Sequence, residues 1–457
     1  MGVCESDSLV WFRIRSIPRE VRKRVAHDLR MVSRYGDAGK PLRFWKKEGA
    51  KVGIPVAYGI RLAKELGFSI KDKRSNGIRV VYRRKPVART SNQSEFFSTL
   101  VRQTKRTECV FAVAPTGSGK TIAALNAIHA LGRSALIVVP SISLAYQWRD
   151  RITEFLGLPA SRIGILKGGK CDWHDKSVVV AVVHSLCKGK MGRDFHSHFG
   201  VAIWDEAHRM AAKWFSRSLM QVLAKYRIAL TATPTRKDGM SKLLHAAFNE
   251  PNTKVSGNTL TALPCRAYVL HTSCTVKSPS YGTTTMKLGV LMSAVAADHK
   301  RNRLIAKMVY RGYVRGRNIL ILSDRIEQLK ALIAMLVDKG IPRKEVGLFV
   351  SATSATEQDR IKAECRIIAA TYGMMKEGQD VPRLDMGIDA TPRSEGNQAI
   401  GRIRRECAGK KTPVWVTLFD HKASELLRGI SSSRIKDYKS CGVEVVPVAD
   451  DISRIKL

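Results

Sequence analysis

The stretch from Cys109 to Leu131 constrains the fold of this chain more than any other. An apolar run, Cys109–Ala114, leads into Ala114-Pro-Thr-Gly-Ser-Gly-Lys-Thr121 and then a helix-like segment, Thr121–Leu131. A strand that hands a Gly-rich turn to a helix start aims consecutive backbone N–H groups and the positive helix end at one point. That arrangement suits a phosphate chain. Gly117 and Gly119 allow close backbone approach, with Thr116 and Ser118 between and beside them. Lys120 can neutralise terminal phosphates and Thr121 can offer its hydroxyl to Mg²⁺. The usual pattern begins with Gly, and Ala114 stands in that place. An ordinary strand–helix turn is the bland reading, and Gly-Lys-Thr in this context argues against it. ATP and Mg²⁺ are the ligands this loop calls for.

The rest of the chain repeats the same alternation. Strand-like runs at Cys109–Ala114, Ala135–Val139, Val178–Val183, Val201–Trp204 and Arg227–Leu230 are nearly continuous in apolar character, as parallel strands buried on both faces require. Helix-like segments Thr121–Leu131, Ser143–Phe155 and Lys213–Lys225 lie between them. A second set follows at Ala267–Leu270, Asn318–Leu322, Val346–Val350, Arg366–Ala370, Leu384–Asp389 and Val414–Leu418. The pattern predicts two successive α/β units at 89–257 and 258–457, joined by a linker at Asn249–Thr261. Residues 1–88 read differently, as a small α+β lobe. It would hold helices at Pro18–Ser33 and Pro55–Leu66 and a strand at Ile78–Arg84.

Charge decides the class of partner. With 79 Lys+Arg against 39 Asp+Glu the chain carries +40, a self-repulsion that a polyanionic partner explains. Residues 1–88 hold 22 basic and 8 acidic side chains, +14, the densest share. No apolar run reaches the ~18 residues of a spanning helix, and no signal core follows a cationic start. That leaves nucleic acid ahead of membrane, and predicts a cytoplasmic setting. The nine scattered cysteines, with no Cys-x-x-Cys, suit a reducing compartment and argue against a zinc site.

Asp205-Glu206-Ala207-His208 follows the strand-like run Val201–Trp204. An acid there can reach a metal held at the phosphate loop, with Asp205 as the Mg²⁺ partner and Glu206 orienting the attacking water. Two acids capping a helix are the alternative, made weaker by the loop upstream.

With these two elements the chain resembles the superfamily 2 helicases and translocases over residues 85–435. Thr231-Ala-Thr233-Pro-Thr-Arg236 is similar to the motif that couples hydrolysis to strand binding. Gln398-Ala-Ile-Gly-Arg402-Ile-Arg-Arg405 resembles the family's Gln-x-x-Gly-Arg-x-x-Arg, in which Arg402 and Arg405, one helical turn apart, act as arginine fingers. Gly378 and Asp380 match a segment near the nucleotide, and Arg89-x-x-x-Gln93 lies where a glutamine reads the adenine edge. Pro140, Ser141, His184, Ser185, Arg236, Ser323 and Thr371 match positions on the sugar–phosphate track. His208 completes the acidic motif.

The resemblance implies two tandem RecA-like parallel-sheet domains behind the basic lobe. The motifs are similar to the RecG/UvsW/XPB-like branch, and compact size points to the branch-migration helicases of Tequintavirus-type phages. The implied activity is ATP-dependent remodelling of branched DNA. Candidates for holding the duplex are the lobe, with Phe44, Trp45, Lys46 and Lys47, and the segment Lys277–Lys287. Alternatives are an RNA helicase, a nucleotide-switched scaffold and a restriction-type translocase subunit; no nuclease constellation stands out for the last.

Overall fold

Seven short strands build one parallel sheet in the first half of the chain. In space they run Ile163–Leu166, Val178–Val182, Ala135–Val139, Val201–Trp204, Tyr226–Thr231, Cys109–Val113 and Thr253–Lys254. The second half repeats this with Val346–Phe349, Ile367–Thr371, Ile319–Ser323, Met386–Asp389, Val414–Phe419, Arg266–His271 and Glu444–Pro447. Numbered from its own first strand, each sheet reads 3-4-2-5-6-1-7. This is the tandem RecA-like α/β architecture. The computed structural model describes residues 2–31, 41–114, 118–168, 172–189, 191–211, 215–232, 241–249, 253–254, 263–277, 284–376, 381–393, 397–440, 442–449 and 451–457. The chain divides into two compact units, Met1–Leu260 and Thr261–Leu457.

Alternation along each strand sorts residues between two cores. In the first unit Val110, Ala112, Ile137 and Val180 pack with Phe97, Leu125, Trp148 and Ile152 from helices Ser91–Thr107, Lys120–Leu131 and Ile142–Leu156. Phe111, Leu136, Val138 and Trp204 face the other way, toward helix Ser241–Phe248. Two of these helices start where polar side chains take up orphan amides: Thr90 accepts from the Gln93 amide, and Ser141 from that of Leu144.

The basic lobe is a five-stranded sheet, Lys46–Glu48, Lys51–Pro55, Leu9–Arg13, Val3–Ser6 and Ser69–Asp72, carrying helix Val56–Glu65. It is no separate body. Val10, Phe12, Phe44 and Leu62 belong to the same buried cluster as Phe111 and Trp204. At the junction Arg74, nearly buried, bonds Asp72 at 2.8 Å and Glu108 at 2.5 Å, and Lys225 approaches both acids.

Three sequence expectations change. The first helix ends at Asp28, because Arg30–Met31 pairs with Leu42–Arg43 instead. Ile78–Arg84 is extended without being a sheet strand. Its amides bond the Gly132 and Leu156 carbonyls and the Ser134 hydroxyl, so it straps the amino ends of the first sheet. Lys213–Lys225 forms no α-helix where described: Phe215–Met220 is a 3-10 turn. The buried Arg227 guanidinium takes the Leu219 and Val222 carbonyls that a helix would have used. Both sheets also hold a seventh strand, and the first an edge strand, Ile163–Leu166, beyond those the apolar runs predict.

Candidate nucleotide and nucleic-acid site

The strand order places the site. Strand Cys109–Val113 neighbours Tyr226–Thr231, which neighbours Val201–Trp204, so three strands end side by side where the order reverses. Open parallel sheets bind ligands at that carboxyl edge. Ala114, buried, donates its amide to the Thr231 carbonyl at 3.0 Å, and its own carbonyl accepts from Lys120 Nζ at 2.8 Å. Gly119 sits at φ +84°, open to glycine alone without strain, and the Gln93 amide lies 3.2 Å from where its Cβ would be. The Gln93 Oε1 accepts from the Arg89 amide at 2.9 Å, which braces the entry to its helix. Thr121 lies in the first turn of Lys120–Leu131.

Asp205 follows strand Val201–Trp204 and is buried. Its Oδ1 accepts from the Glu206 amide and its Oδ2 from the Trp148 indole N–H, each at 2.9 Å. Burial and the adjacent Glu206 charge push its carboxyl up to about 6, while the Trp148 bond and the Lys120 cation oppose the shift. Glu206 holds a left-handed backbone, φ +49°. Its Oε2 is 3.4 Å from His208 Nδ1, and that nitrogen lies 2.9 Å from Thr231 Oγ1. Thr231 thus joins Ala114 to His208, and His208 lies beside Glu206 without a hydrogen bond to it.

At this edge two buried polar atoms, Ser118 Oγ and Glu206 Oε2, make no hydrogen bond within the protein. Such groups ask for a missing partner. Among the described residues no cluster of three His, Cys, Asp or Glu could cage a metal. One carboxylate, one hydroxyl and substrate phosphates is the donor set that Mg²⁺ takes, so the residues fit Mg²⁺ with a nucleotide.

In the second unit Ala399, Ile400 and Ile403 bury one face of helix Asn397–Ile403, which carries the buried Arg402. Arg405 lies beyond the helix end rather than one helical turn along it, and its carbonyl accepts from Lys410 Nζ at 2.7 Å. Gln398 is on this helix. Thr116, Gly117, Arg236, Gly378 and Asp380 lie outside the described residues, as does most of 277–287 and of the expected linker.

The nucleic-acid candidates gather at carboxyl edges. Val139 pairs with Val182, so Pro140–Ser141 and His184–Ser185 leave adjacent strands together; Ser323 pairs with Thr371 in the second sheet. The three serine hydroxyls, however, serve the turns. Ser141 caps its helix, Ser185 accepts from the Gly168 amide at 2.9 Å, and the buried Ser323 donates to Gln328 at 2.6 Å. Orphan amides at helix starts take such acceptors first. Trp148 as a partner of Asp205 carries no local signal in the sequence, since the two lie 57 residues apart. The Tyr146 hydroxyl, on the same helix, accepts from Lys167 at 2.6 Å while Arg149 lies 5.0 Å from its ring. Phe44 is core; Lys46 and Lys47 are exposed on an edge strand. A cavity of about 420 Å³ opens by Arg325, Arg393, Met292 and Ile430 in the second unit.

Residues 85–236 match the family described as the res subunit of type III restriction enzymes. A protein of Acanthamoeba polyphaga mimivirus named as an ATP-dependent RNA helicase, L396, is 27% identical over 316 residues, 66% of this chain and 59% of its own length. Helicase D10 of Escherichia phage T5 is 24% identical over 343 residues, 73% of this chain and 72% of the phage protein. The crystal structure of the Pyrococcus furiosus Hef helicase domain superposes with TM-score 0.51 at 15% identity, over 79% of this chain and all of that domain. The mimivirus match spans less than two thirds of that relative's length. The chain is thus similar over residues 85–236 to the restriction res-subunit family and over most of its length to viral proteins named as helicases, and its paired sheets share the fold of the Hef helicase domain.

Proposed function

We propose that the protein is an ATP-dependent DNA helicase or translocase that remodels branched DNA in replication, recombination or repair. Fork regression, Holliday-junction migration and D-loop unwinding are the reactions meant, and a phage-type enzyme in the host cytoplasm is the setting. The observation that carries this reading is the fusion of a cationic lobe to the nucleotide-binding unit through one continuous core. A duplex held on that lobe would be fixed relative to the sheet that turns over ATP. The similarity to a phage helicase supports the helicase part of this reading.

Within the site, Lys120 and the loop amides hold the phosphates, with Thr121 and Asp205 as the metal's protein ligands. Mg²⁺ when bound would neutralise phosphate charge. Glu206 orients and deprotonates water, His208 relays its position to Thr231, and Arg402 and Arg405 meet the charge on the transferred phosphate. Arg89 and Gln93 would contact the base, and Gly378 and Asp380 the nucleotide. Pro140, Ser141, His184, Ser185, Arg236, Ser323 and Thr371, joined by Tyr146 and Lys167, would line the backbone track, largely through amides and the exposed His184.

The test is ATP hydrolysis and unwinding compared across forks, Holliday junctions, D-loops, tailed duplexes and RNA. Branched DNA should stimulate most. The RNA-helicase reading is favoured by the name of the mimivirus relative, and stimulation by RNA alone would establish it in place of ours.

A further inference from the structure

We infer that Trp148 is the positioning residue of the metal carboxylate: its indole N–H fixes how Asp205 presents its remaining lone pairs to the nucleotide's metal. This rests on the function proposed above for Asp205. The indole is buried, and Ala145, Ile152 and Leu156 lock its helix into the core. The 2.9 Å bond to Oδ2, with the 2.9 Å bond from the Glu206 amide to Oδ1, occupies one site on each oxygen. A carboxylate has about four such sites. Two therefore stay open, and the two donors together set the plane in which they point.

The second unit supplies an internal comparison. Asp389 ends strand Met386–Asp389, which fills the same slot in its sheet that Val201–Trp204 fills in the first. It too accepts from a buried tryptophan, Trp415, at 2.8 Å. There the acid is closed off: Tyr372 donates at 2.9 Å, Tyr438 at 2.8 Å, and Arg434 pairs at 2.8 Å. Three donors and a fixed cation leave no place for a metal, so that indole serves stability. Around Asp205, among the described residues, no arginine pairs with the carboxylate, and the charges that act on it are those of Glu206 and of Lys120 from the phosphate-loop segment.

The helix carrying Trp148 begins at Ser141, on the edge where Pro140 and His184 emerge. Seven residues of helix, about two turns, separate that edge from the indole. The metal carboxylate is thus held by the element nearest the nucleic-acid track.

Mn²⁺ serves as the probe, with free ion counted by electron paramagnetic resonance in the presence of ADP and without turnover. Trp148→Phe keeps the aromatic ring in place and removes the N–H. It should weaken Mn²⁺ about tenfold, the lower end for loss of an outer-shell partner, and leave metal-free binding of fluorescent ADP unchanged. Trp415→Phe, losing the matching bond at Asp389, should leave Mn²⁺ affinity within twofold. Wild-type Mn²⁺ affinity in W148F, or equal weakening in W415F, overturns the inference. A wild-type protein with no ADP-dependent Mn²⁺ binding, or an Asp205→Asn variant that binds normally, would instead refute the reading of Asp205 itself. If W148F does not fold, indole ¹⁵N spectra of the wild type decide. Mg²⁺ added to the ADP complex should shift an indole resonance that is still present in W415F, and no shift overturns the inference.

Discussion

Glu206 combines two costs, a left-handed backbone at a non-glycine residue and a buried carboxylate oxygen without a donor. Each is worth on the order of 1–3 kcal/mol, and both fall on the residue assigned to activate water. Replacing Glu206 by Gln keeps shape and backbone. Steady-state hydrolysis of ATP should fall more than about 100-fold, as it should for Lys120→Ala, while thermal midpoints move little. His196 belongs to stability alone. Burial against Phe195 pushes its imidazole down to about 4, with Nδ1 unpartnered. The unfolded chain then binds the proton near pH 6.5 and the folded one only near 4. Stability from this group is complete above pH 6.5 and is lost as pH falls through that window, by up to about 3 kcal/mol. Acid-limb melts of His196→Phe should lack that slope.

At the scale of elements, the strap 75–84 explains why local pattern misleads. Alternating apolar residues read as a strand, yet its bonds go to loop ends, and Ile78 and Val81 stay exposed. It crosses strand Val201–Trp204 where Gly77 meets Gly200. A Cβ on Gly77 would lie 2.1 Å from the Gly200 nitrogen, at φ +61°. Gly77→Ala should therefore cost about 3 kcal/mol or more, measured by denaturant unfolding. The helix Val56–Glu65 is legible because its signals are contiguous: a proline before the first turn, a glycine after the last. The 3-10 turn Phe215–Met220 is not. Its outcome depends on Arg227, a charged residue that the strand buries and turns back on it.

For the whole molecule, +40 is spread over both units and the lobe, and the lobe cannot be removed cleanly. Deleting 1–88 would strip Phe12, Phe44 and Leu62 from the core shared with Trp204. Charge reversal is the sounder experiment. Arg13, Lys46 and Lys47 are exposed, the lysines on an edge strand. Changing the three to Glu should weaken fork binding and reduce the slope of log affinity against log salt by roughly 0.9 for each phosphate no longer neutralised. DNA-free hydrolysis should change less than about twofold, and an unaltered slope would show that the lobe does not hold the duplex. The sequence by itself determined two successive sets of apolar parallel strands and the helix that opens after Gly119, because each is written within a few neighbouring residues. Only the tertiary structure decided that Trp148 holds Asp205 across 57 residues, that His208 meets Thr231, and that the lobe shares a core with the first sheet. The physical reason is the crossover order of a parallel sheet, which sets strands distant in sequence side by side and leaves their ends to share one edge.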